Sequence, residues 1–302
     1  MPKNKISKKV IFIGGSSYSG STMLDMMLAN DEEGFSVGEI CALFHPYRPH
    51  HFNPQCGCGD PNCKLWLKVK KAGEKNLYET LFEIFPKISF IVDSSKDPWW
   101  INKQIKNLEN KGINYYKLLI WKDPVAFAYS MIKRKRKGWI KAWINYHRLY
   151  LTLFSDFISV SYTSLVQNPQ RELKQICNQI GISYFKGKEY FWNKKHHTLF
   201  GNTSAKIHLF PREKSKYVDL LRYRSIYYDS DYKEKIPKKI VEEIEHNDLI
   251  KKIKNLLVNN ELNNAYKKEK LLTPYQLNFF KFKYLFLKRI AGRAIGRYIK
   301  LF

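Results

Sequence analysis

The sequence is short of acid. Asp and Glu number 27 against 53 Lys and Arg in 302 residues, a formal net charge of +26. Such an excess favours anionic partners, whether phosphorylated nucleotides, nucleic acid or acidic lipid, without choosing among them. Long hydrophobic runs are missing too. No stretch reaches the ~18 to 20 uncharged apolar residues that span a bilayer. Lys3, Lys5, Lys8 and Lys9 precede only the apolar residues 10–13, too short for a signal-peptide core. Five cysteines, an odd count, do not suit a secreted disulfide framework. Together these absences lead to the expectation of a cytoplasmic protein. Internal repeats and a clean linker are also absent, which favours one domain over 1–270 with an appendage at 271–302.

What is present suits a globular chain, with 44% hydrophobic and 15% aromatic residues. Residues 9–13 are a short β-branched run ended by Gly14 and Gly15, a buried strand. Small residues then turn the chain, and 22–30 carry helix formers with Met23, Met26, Met27 and Leu28 at apolar positions. Further strands are predicted over 89–92, 115–121 and 157–161. Helices are predicted over 98–110, 125–135, 139–154 and 169–180, the last ended by Gly181. Residues 184–235 are aromatic and basic without clear periodicity and are expected to wrap the ligand site as a lid. A helix follows over 237–258. This alternation implies an α/β, three-layer, P-loop-like fold with a central, mostly parallel sheet flanked by helices. Ligands of such sheets sit beyond the strand C-termini, where every motif below falls.

The segment Gly15-Ser16-Ser17-Tyr18-Ser19-Gly20-Ser21-Thr22 has the spacing of a Walker A loop, with Ser21 in the lysine position. Backbone N–H groups at a helix N-terminus bind phosphate, because unpaired donors and the helix dipole both face the anion. Without the lysine the loop loses the charge that grips the β- and γ-phosphates of a nucleoside triphosphate. A 5′-phosphate with a smaller transferring group still suits it. A second basic element starts where the 115–121 strand ends. On a helix beginning near Val125, Ser130 and Arg134 are four apart and share a face, with Lys122 beside its first turn. These three make a second anion pocket, unless the run Lys133 to Arg136 is simply a solvated basic face.

The two elements together resemble the sulfotransferases that use 3′-phosphoadenosine 5′-phosphosulfate (PAPS). Ser19-Gly20-Ser21-Thr22 is similar to the family's loop for the 5′-phosphosulfate, and Lys122-Asp123-Pro124 with Ser130 to its site for the 3′-phosphate. Val37-Gly38-Glu39-Ile40 and Asp93-Ser94-Ser95-Lys96 resemble segments of the tyrosylprotein and bacterial branches. Ser161-Tyr162-Thr163-Ser164-Leu165 and the stretch from His197 to Asn202 resemble two further family motifs, all in family order. The resemblance implies a PAPS donor held by Ser17, Tyr18, Ser19, Gly20, Ser21, Thr22, Lys122, Ser130, Arg134 and Tyr162, with no metal required. It implies Glu39 as general base towards an acceptor hydroxyl or amine, held ionised by Lys96. Two departures stand out. Tyr18 replaces a loop residue that is usually Arg or Lys, so Lys96 becomes the best cation for the bridging oxygen. Lys122 replaces an arginine, a point charge without bidentate geometry.

His45, His50, His51, His196 and His197 are rival bases. Cys56, Cys58 and Cys63 invite a zinc reading with His50 or His51 as fourth ligand, but the spacing fits no standard finger. A structured loop near the acceptor entrance is the expectation instead. Trp99 and Trp100 are expected to pack in the core. Residues 275–302 carry seven basic residues and no acid, with Arg289, Arg293 and Arg297 repeating every four residues. This reads either as an interfacial helix for an anionic membrane surface or as a helix packed on the domain. A P-loop kinase and a nucleic-acid-binding protein are the alternatives. The missing lysine opposes the first, and the second has no recognised motif. The expected acceptor is a glycan, glycolipid or lipid-linked molecule, met in the cytoplasm or at the inner face of the membrane.

Overall fold

Residues 7–211 and 223–259 are described by the computed structural model. The basic tail therefore lies outside the described residues. Apolar patterning sets the centre of the sheet: Val10, Ile11, Phe12 and Ile13 of β1 (Lys9–Gly14) are all fully buried. Successive side chains alternate between faces. Val10 and Phe12 enter the core on one side, Ile11 and Ile13 the core on the other. Each such side chain contributes roughly 1.5–3 kcal/mol on burial.

Four more strands, β2 (Gly34–Gly38), β3 (Phe90–Lys96), β4 (Asn114–Trp121) and β5 (Ile158–Ser161), complete the sheet. Every pairing is parallel and the order is β2-β3-β1-β4-β5. One face carries α1 (Ser21–Leu28) together with α8 (Tyr162–Gln167) and α9 (Pro169–Ile180). The other is covered by α2 (Cys41–Phe44), α3 (Leu65–Ala72), α4 (Leu77–Ile84), α5 (Pro98–Glu109), α6 (Pro124–Ile132) and α7 (Trp139–Leu153). It also receives α11 (Lys238–Glu245) and α12 (Asp248–Asn259), after a short α10 (Thr203–Lys206). The three-layer α/β expectation holds.

α2, α3, α4, α8 and α10 lie where the sequence marks no helix, and other details differ too. β2 was not predicted as a strand, because two glycines in five residues hide its pattern. β3 continues past Val92 to Lys96, so the Asp93–Lys96 segment belongs to the strand. α6 ends at Ile132, and Lys135 adopts a left-handed φ of 53° just beyond it. The last predicted helix is two. Asn247 interrupts it, its side chain accepting the Ile250 N–H at 3.1 Å in the manner of an N-cap.

Of the aperiodic segment, the described part is a strap pinned across the strand ends. Lys188 is fully buried and pairs with Asp31 at 2.8 Å. Lys194 donates to the carbonyls of Ala29 at 2.9 Å and Gly34 at 2.7 Å, near the C-terminal end of α1. Leu199 then bonds to both sides of the β2 terminus, donating to Val37 O at 3.2 Å and accepting from Glu39 N at 2.9 Å. Gly38 sits at φ 65°, and a Cβ there would lie 2.1 Å from Leu199 O. Only glycine allows that approach.

Candidate active site

The loop after β1 is built as a cradle. Gly20 caps α1 in a left-handed conformation, φ 99°, and has no side chain to satisfy the first helical N–H groups. The hydroxyls of Ser16 and Ser19 are buried and have no hydrogen-bond partner among the described residues. Buried hydroxyls are costly unless something bonds them, and an anionic oxygen is the complement. Ser17 is exposed, while Ser21 and Thr22 are buried. The Thr22 hydroxyl accepts Asn202 N–H at 3.0 Å, tying the strap to the loop. Tyr18 holds φ 65°, an uncommon conformation for a non-glycine residue and worth roughly 1–3 kcal/mol of strain.

The second basic element folds directly against this cradle. Lys122 follows β4 and is nearly buried, its Nζ 3.4 Å from Ser130 Oγ and 4.1 Å from the Tyr162 ring centre. Burial, reinforced by the Arg134 guanidinium, brings the Lys122 ammonium down to about 8. Arg134 Nη1 donates to Ser130 O at 2.7 Å, and the guanidinium lies 4.2 Å over the Tyr18 ring. Tyr162 in turn packs on Gly20, where a Cβ would meet its ring at 2.4 Å. Contacts therefore run from Gly20 through Tyr162, Lys122, Ser130 and Arg134 back to Tyr18. The Arg134 guanidinium thus lies on the aromatic face of Tyr18.

On the opposite side, Glu39 follows the end of β2 and forms an ion pair with Lys96 at the end of β3. Lys96 also adopts a left-handed φ of 63°. The rest of its strand end is inward-facing. Asp93 accepts from Tyr78 at 2.7 Å and Trp100 Nε1 at 2.8 Å, and Ser94 donates to Asp25 at 2.6 Å. Ser95 Oγ accepts the Cys41 N–H at 3.0 Å. Trp100 is thus a core residue, as expected.

Two groups escaped the sequence reading. Tyr146 Oη accepts Gly15 N–H at 2.6 Å and donates to Lys96 O at 2.6 Å, bridging the loop after β1 to the Lys96 strand end. One tyrosine in an amphipathic helix gives no sequence signal for this. Tyr146→Phe should lower stability by about 1–3 kcal/mol in urea denaturation, because Gly15 N–H loses its acceptor. Lys206 is the other: burial lowers its pKa, and the charges of Cys56 and Glu39 oppose the shift. It stands on the strap, in sequence that showed no periodicity.

The rival histidines have contacts of their own. His45 pairs with Glu74 at 2.8 Å, and His196 Nε2 lies 2.9 Å from Phe191 O. His50 and His51 pack on one another and on Phe200. Burial pushes His51 and His196 down to about 4. His197 faces Cys56 and Cys63.

A sulfotransferase domain from the curacin biosynthetic pathway shares this architecture, with a TM-score of 0.52 at 15% identity, over 85% of this chain and 99% of that one. The chain has the fold of a sulfotransferase domain. Two more sulfotransferase structures are similar over smaller parts. The domain from the Synechococcus PCC 7002 olefin synthase gives a TM-score of 0.45 at 21% identity, over 63% of this chain and 78% of its own. The enzyme from Alicyclobacillus acidocaldarius gives 0.34 at 13%, over 57% and 81%. No protein-family model matches the sequence, and no curated protein matches it. Among the described residues, no helix is long and apolar enough to cross a membrane.

Proposed function

We propose that the protein transfers a sulfonate group from PAPS to a hydroxyl or amine of an acceptor. The observation that carries this reading is the closure of two anion-binding elements on one another. Ser16 and Ser19 offer unpartnered buried hydroxyls on one, and Lys122, Ser130 and Arg134 line the other. A donor with a phosphate at each end of its ribose needs that arrangement. A nucleoside triphosphate would instead need charge along one chain of phosphates, where Ser21 stands in place of lysine.

PAPS supplies an activated sulfonate whose S–O bond to the 5′-phosphate breaks as the acceptor oxygen bonds to sulfur. The protein's part is positioning and charge. The loop N–H groups and hydroxyls hold the 5′-phosphate, and Lys122, Ser130 and Arg134 hold the 3′-phosphate. Glu39 takes the acceptor proton, and Lys96 faces the developing charge on the leaving oxygen. The strap and the β2 end frame the acceptor side. The bacterial-type motifs and the basic sequence of residues 275–302 favour a glycan, glycolipid or lipid-linked acceptor, met at the inner face of a membrane.

Calorimetric titration with PAPS, its 3′,5′-bisphosphate product and ATP tests the donor, followed by labelled-sulfate transfer to candidate acceptors. The two 3′-phosphorylated nucleotides should bind at one site and ATP more weakly. Tighter ATP binding with phosphoryl transfer would establish a kinase instead. Ser130→Ala should weaken PAPS by about 1.5–3 kcal/mol, the worth of a hydrogen bond to a charged group. Adenosine 5′-phosphosulfate, which lacks the 3′-phosphate, should bind the variant and the wild type alike.

A further inference from the structure

Cys56, Cys58 and Cys63 do not form a bare loop. Their sulfurs and Nδ1 of His197 all lie within 4.8 Å of one another. The nitrogen is 3.3 Å from Cys56 Sγ and 3.6 Å from Cys63 Sγ. A tetrahedral zinc with Zn–S of about 2.3 Å and Zn–N of about 2.0–2.1 Å has S···N edges of roughly 3.5 Å. The fourth partner is neither His50 nor His51, as the sequence spacing suggested. It comes from the strap, whose return beside β2 local spacing could not show.

We propose that Cys56, Cys58, Cys63 and His197 bind one structural zinc ion. Three thiolates and an imidazole form a soft, closed donor set that selects zinc and leaves no position for substrate. The residues are pre-aimed. Gly57 N donates to Thr198 O at 2.9 Å, and Cys56 bridges to Leu199, so the cysteine loop and the strap are already in register. The His197 ring is stacked on Phe35, 6.1 Å away and 9° from parallel, which fixes its azimuth. The remaining cysteines, Cys41 and Cys177, are buried elsewhere. Three thiolates and Zn²⁺ leave one net negative charge, and Lys195 and Lys206 act electrostatically on these cysteines.

The ion would clamp the strap beside Glu39. Leu199, two residues beyond His197, holds the Glu39 N–H, and Asn202 holds Thr22. Zinc here shapes the site without entering the transfer chemistry, so the inference stands apart from the donor reading. Either can fail alone.

Elemental analysis of tag-free, reduced protein purified without chelator should find about one zinc per chain. Cobalt exchanged into it should show tetrahedral d–d absorption and sulfur-to-metal charge transfer. Cys58→Ser and Cys63→Ser should lose the metal, while His197→Cys should keep it as a four-cysteine site. Should a serine variant fail to fold, the wild-type stoichiometry and cobalt spectrum still decide. Metal below about a tenth of an equivalent after zinc is added to reduced protein overturns the proposal. So does full zinc retention in both serine variants.

Discussion

Glu39→Gln is expected to lower sulfonate transfer by about 10²–10⁴-fold while leaving PAPS affinity within about twofold, the range for losing a positioned general base. The substitution keeps the side-chain shape and leaves the backbone contact of residue 39 with Leu199 O at 2.9 Å in place. It removes the charge that pairs with Lys96 and the site that accepts the acceptor's proton. The donor elements lie on the far side of the loop, at Lys122, Ser130 and Arg134, so binding of the bisphosphate product should be untouched. A rate within a few-fold of wild type, read by labelled-sulfate transfer at saturating donor, would remove Glu39 from the mechanism. A fall in donor affinity matching the fall in rate would make it a binding residue.

Local sequence carried the parts of this site that one element builds alone. The β1 run ending in glycines announced the turn into α1. Asp123-Pro124 announced a helix start, with Asp123 accepting the Val125 N–H at 2.9 Å. The four-residue spacing of Ser130 and Arg134 suggested one helical face, but α6 ends at Ile132 and the two meet through the Arg134 bond to Ser130 O at 2.7 Å. Relations between distant elements had no such signature. Arg134 stacked on Tyr18 depends on how the turn after α6 meets the loop. His197 joining the cysteines depends on a strap whose course is set by Lys188, Lys194 and Leu199, each bonded to chain more than a hundred residues earlier. Motif order could mark that segment as part of the site. Only tertiary contacts could say what it touches.

Beneath the loop lies the second large effect. Asp25 of α1 is fully buried, and burial pushes its carboxyl from 3.8 up to about 7, with the nearby Asp93 charge adding to the rise and the Ser94 hydroxyl opposing it. A carboxyl that titrates near 7 when folded and near 4 when unfolded binds more proton in the native state between those values. Stability from this group is therefore present below pH 4 and lost as pH rises to about 7. The three-unit difference corresponds to about 4 kcal/mol. Asp25→Asn removes the titration and keeps the size of the side chain. Its stability relative to wild type should thus increase by about 4 kcal/mol between pH 4 and pH 8. Urea denaturation of both proteins at several pH values reads this directly. His51, His147 and His196, each held down to about 4 mainly by burial, act in the opposite sense. They stabilise the fold as pH rises from 4 to 6.5, but equally in both proteins, and cancel in the difference. A difference constant across the range would mean that Asp25 is ionised throughout. Ser94, on the strand that carries Lys96, donates to Asp25 at 2.6 Å, so this carboxyl joins the helix behind the loop to the strand of the ion pair.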